Sequence, residues 1–65
     1  MIKTVARCPN DMVMVFDEGG EQIPEYQGQY EGVKEGILRD TSLDTVFGYL
    51  SDYEPELREV PKEEW

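Results

Sequence analysis

The chain reads as an α+β domain: an N-terminal β-hairpin, one helix packed across a small, mostly antiparallel sheet, and one or two later strands, in the order ββαβ(β). Three observations predict it. Met12-Val13-Met14-Val15-Phe16 is an unbroken apolar run, the mark of a strand covered on both faces, because a strand with one wet face alternates apolar and polar residues. From Pro24 onward Tyr26, Tyr30, Val33 and Ile37 recur at helical spacing and form one stripe. Thr45-Val46-Phe47-Gly48-Tyr49 is β-branched and aromatic around a glycine, which suits a strand.

Taken in order, Ile2 to Cys8 forms the first strand, with Ile2, Thr4, Ala6 and Cys8 on one face and Lys3, Val5 and Arg7 on the other. Pro9-Asn10-Asp11 is a turn, since Pro fixes φ and Asn and Asp bond their own backbone. Met12 to Asp17 is the second strand, antiparallel to the first. Gly19-Gly20 between acidic residues suits a tight reversal.

Pro24 fits the first position of a helix, where its missing N–H costs nothing. Glu25 in the first turn and Arg39 in the last suit the helix dipole. The predicted helix spans Pro24 to Arg39. Gly28, Gly32 and Gly36 form a second stripe along it. Either another element approaches the backbone there, or the helix is weak and exposed on that side, at about 0.8–1 kcal/mol per glycine against alanine.

Leu43, Val46, Phe47 and Leu50 also have helical spacing, but the β-branched composition places a strand at Thr45 to Ser51. Leu57 to Val60 is a short edge strand, because Pro55 and Pro61 forbid a central position. Val60 to Trp65 is one helical turn opening at a proline, or a docked tail.

The chain is a single small domain, residues 1–65. A chain this short buries only about 60% of its unfolded surface, so its stability is on the order of 3–10 kcal/mol. A deep, enclosed active site is hard to build from so little material. Fifteen acidic residues against six basic ones give a formal charge of −9. Clustered Lys and Arg are what bind phosphate backbones, and Lys3, Arg7, Lys34, Arg39, Arg58 and Lys62 are spread along the whole chain. Direct nucleic-acid binding and attachment to anionic membranes are therefore not expected. One cysteine excludes an internal disulfide. No apolar stretch reaches the roughly 18–20 residues that span a membrane. Met1-Ile2-Lys3-Thr4 opens without a signal-type apolar region. A soluble protein of a reducing cytoplasm is the expectation.

Candidate chemistry is sparse. Asp17, Glu18 and Glu21 flank Gly19-Gly20 but lack the ligand spacing of a calcium loop. Cys8 has no histidine anywhere in the chain to serve as its base, and its alternation with Ala6 points it toward the core. No cofactor, metal or catalytic constellation is expected, and the protein reads as no enzyme.

The apolar second strand instead suggests interaction. With the helix stripe over Met12, Met14 and Phe16, the opposite face carrying Val5, Val13 and Val15 becomes the expected contact surface for a protein partner or a second copy. Asp52, Glu54 and Glu56 would align on one side of an extended segment and steer a basic partner. Trp65 either docks over part of the uncovered face or stands as an exposed anchor. The alternative is an acidic inhibitor or regulator that mimics nucleic acid at a basic site on its partner.

Overall fold

The computed structural model describes residues 1–51 and 56–65. Among these, five strands and one α-helix follow in chain order: β1 (Thr4–Arg7), β2 (Met12–Phe16), β3 (Gly28–Gln29), α1 (Tyr30–Asp40), β4 (Val46–Tyr49) and β5 (Arg58–Val60). Short 3-10 turns occupy Pro24–Tyr26 and Lys62–Glu64. The strands form one sheet in the order β3-β2-β1-β4-β5. Its pairs are antiparallel except β1 with β4, which run parallel. The parallel pair follows from the connection: after β2 the chain crosses through α1 and returns on the other side of β1. The fold is the α+β class that the sequence predicts.

The β1–β2 hairpin is locked by its turn chemistry. Cys8 N donates to the Met12 carbonyl at 2.8 Å, and Asp11 N donates to the Cys8 carbonyl at 3.0 Å. Asp11 sits at φ 64°, a left-handed conformation that Asp tolerates better than most residues. Its Oδ1 accepts from Arg7 Nε and Nη2 at 3.1 and 3.0 Å. At the next reversal Asp17 Oδ1 accepts from the Gly19 and Glu21 amides at 2.9 and 3.0 Å.

The helix starts six residues later than the sequence predicts. Pro24 does open a turn of helix, but that turn ends at Tyr26. Gly28 then adopts φ 143°, a conformation that L side chains rarely take. Gly28 and Gln29 pair with Val13 and Met12 as β3, and Tyr30 N donates to the Asp11 carbonyl at 2.8 Å. The free edge of β2 thus captures backbone groups that a longer helix would have used internally. Tyr26 lies outside α1 and reaches back to it, its hydroxyl donating to Asp40 Oδ2 at 2.6 Å.

Ile2, Val5, Val13, Val15, Ile37, Phe47 and Trp65 form the buried cluster, with Tyr26, Tyr30, Val33 and Leu38 packed against it. The covered face of the sheet is therefore the one carrying Val5, Val13 and Val15, each fully buried. This reverses the face assignment drawn from the sequence. The physical reason is that an all-apolar run does not say which of its faces meets the helix, and Arg7, which shares the buried face, does not keep it wet. Its guanidinium is neutralised within the fold by the Tyr30 ring at 3.5 Å and by Asp11.

Cys8 is correspondingly half-buried at the hairpin rather than in the core. A Cβ built on Gly32 meets nothing within 4 Å, and one on Gly36 meets Arg39 Nη2 at 3.9 Å. No element crowds the helix at these two glycines; Gly32 is exposed and Gly36 half-buried. The later strand forms at Val46–Tyr49, inside the expected span, and β5 lies at the sheet edge as expected.

Candidate protein-interaction face

The pairing register decides which residues share the face that α1 leaves uncovered. Thr4 stands opposite Phe16 on one side and Val46 on the other, and Ala6 stands opposite Met14 and Gly48. Two cross-strand rows result, Phe16–Thr4–Val46 and Met14–Ala6–Gly48, and Glu59 extends the second row through its pairing with Gly48. Met12 continues the face along β2. Met12 is 38% exposed, while Met14, Phe16 and Val46 are half-buried. On the side away from the helix β2 and β4 thus present the apolar Met12, Met14, Phe16 and Val46, while Ala6 and Gly48 between them are buried.

One edge of this face is closed from within. A Cβ added at Gly48 would stand 2.6 Å from Leu57 Cγ and 2.7 Å from the Arg58 carbonyl oxygen. Glycine is needed here because the Leu57 side chain and the β5 backbone approach β4 too closely for any methyl group. Leu57 therefore lies on the Gly48 side of the sheet.

Trp65 closes the opposite side. It is 4% exposed, stacked edge-on to Tyr30 at 5.1 Å and tilted against Phe47 at 5.2 Å. Its carbonyl oxygen accepts from Arg7 Nη1 at 2.9 Å. Tyr49 donates its hydroxyl to the Glu64 carbonyl at 2.8 Å and holds the preceding turn. The indole Nε1 is buried without an acceptor, so the docking rests on ring packing rather than on that N–H. The tail docks, but on the helix side, and contributes nothing to the uncovered face.

Of the residues that the sequence nominates for interaction, Val5, Val13 and Val15 are core, and Trp65 is a core plug. Glu56 is exposed beside Leu57. Asp52 and Glu54 lie outside the described residues. The residues that sequence reasoning missed as a surface are Met14, Phe16 and Val46. The β-branched valines at positions 5, 13 and 15 pack well in a pleated core, but an unbroken apolar run does not mark which of its two faces is covered.

The cations gather on the helix side, three of them beside carboxylates. Arg7 stacks on Tyr30, Lys34 pairs with Glu31 at 3.3 Å, Arg39 pairs with Asp40 at 3.1 Å, and Lys62 Nζ reaches the Leu38 carbonyl at 3.4 Å. Arg58 falls on the helix side through its register with Tyr49. Five of the six cations thus belong to the helix side. Lys3 Nζ donates to the Asp44 carbonyl at 3.4 Å.

Three shifted groups, Tyr26, Arg39 and Asp40, also lie on the helix side. The Arg39 guanidinium and then the Tyr26 hydroxyl hold the Asp40 carboxyl below its ordinary value, and the same bond to Asp40 raises the Tyr26 phenol. Glu18 is lowered by a backbone hydrogen bond and by the Met1 ammonium, which lies 3.2 Å away.

The surface depressions are shallow. One, of about 470 Å³, is lined by residues that include Thr41, Ser42, Glu59, Lys62 and Glu63, with the fully exposed Leu43 among them. Among the described residues no group of three or more acidic or sulfur ligands is placed to hold a metal ion. No helix among them is long and apolar enough to cross a membrane. No protein-family model, curated protein or solved structure matches this chain.

Proposed function

We propose that this protein is a non-catalytic protein-interaction module that docks through the uncovered face of its sheet. The observation that carries the reading is the apolar set Met12, Met14, Phe16 and Val46 on a face that α1 does not reach. The sequence signal for this is the same unbroken run at residues 12–16, whose valines enter the core while the residues between them face outward. A single half-buried cysteine and the acidic composition fit a reducing cytoplasmic setting.

The test compares the wild type with Met14→Asp, in which a charge sits at the centre of the face. Self-association is followed by light scattering over a wide concentration range, and partner association by capture from the source cell. Retained folding with lost association supports the reading. Association unchanged in a folded variant removes it.

The charge of −9 supports a second reading, an acidic inhibitor that occupies a basic nucleic-acid site on a partner. The two separate on salt: apolar docking survives high ionic strength, and charge mimicry does not.

A further inference from the structure

We draw no further inference here: the strongest candidate, the apolar patch of Met12, Met14, Phe16 and Val46 on the sheet face away from α1, is closed at its middle by the buried Ala6 and Gly48, and nothing in the structure shows what covers it.

Discussion

The guanidinium carbon of Arg7 lies 3.5 Å from the centroid of the Tyr30 ring, and the same guanidinium donates to the Trp65 carbonyl oxygen at 2.9 Å. One side chain from β1 thereby ties the first turn of α1 to the end of the described chain. A cation over an aromatic face contributes about 0.5–2 kcal/mol according to how far it is desolvated. A hydrogen bond from a charged donor adds about 1.5–3 kcal/mol before solvent screening. Because the Arg7 side chain is 22% exposed, its replacement by methionine, which keeps the stem but removes the charge, is expected to cost about 1–3 kcal/mol. Trp65 is the single tryptophan, so its emission reports the site directly. In Arg7→Met the native emission moves to the red and the urea midpoint falls. An unchanged midpoint would mean that ring packing alone seats the tail.

Gly48 and Gly32 give opposite expectations for the same substitution. At Gly48 a new Cβ would press on Leu57 and, at 2.7 Å, on the Arg58 carbonyl oxygen. A backbone atom in a paired strand cannot swing aside as a side-chain tip can, so Gly48→Ala is expected to destabilise by about 1–3 kcal/mol, the range for overpacking. At Gly32 the new Cβ meets nothing within 4 Å and the residue lies inside α1, so Gly32→Ala is expected to stabilise by about 0.8–1 kcal/mol. Paired denaturation curves check both. A stabilising Gly48→Ala would show that β5 is not held against β4 as described.

The contrast between these glycines also shows what the sequence could convey. Strand and helix periods were legible, because the run at residues 12–16 and the stripe ending at Ile37 each follow from local spacing. The choice of face was not. It depends on which side of the sheet α1 returns to, which an all-apolar run does not encode; the contact of Arg7 with Tyr30, distant in the chain, accompanies that choice. The helix start was hidden for a related reason. Pro24 and Glu25 are valid first-turn signals, but the edge of β2 competes for the backbone at Gly28 and Gln29 and wins. The uncovered face was therefore visible as a necessity of the apolar run, and its identity required the register.

Trp65 tests how much of this small core depends on one side chain. Replacing a buried aromatic by alanine costs about 3–5 kcal/mol, a large share of the roughly 3–10 kcal/mol available to a chain of this length. Trp65→Ala is expected to leave a substantially unfolded population, visible as lost dispersion in the amide NMR spectrum. Trp65→Phe removes the buried Nε1 that lacks an acceptor and keeps a ring against Tyr30 and Phe47, so it costs clearly less than the alanine change. Equal damage from both variants would show that the full indole volume, rather than an aromatic ring as such, is required.

The Asp40 cluster carries a pH dependence whose sign follows from its geometry. Arg39 Nε lies 3.1 Å from Asp40 Oδ1, and the Tyr26 hydroxyl lies 2.6 Å from Oδ2. Both favour the carboxylate and hold the folded-state value below the ordinary 3.8. A carboxyl lowered on folding contributes stability that is fully present above its unfolded value and is lost as pH falls through the folded one. Absolute stability is a poor readout, because acid also relieves the self-repulsion of a chain at −9. The difference between wild type and Asp40→Asn cancels that background. It is expected to favour the wild type at pH 7 and to shrink as the pH is taken below 3.8. At the alkaline end the Tyr26 phenol, raised above 10.0 by its bond to Asp40, contributes stability below that pH and loses it on ionising, so Tyr26→Phe narrows its deficit there. A wild-type advantage over Asp40→Asn that stays constant from neutral to acid would mean that Asp40 acts through packing and not through its charge.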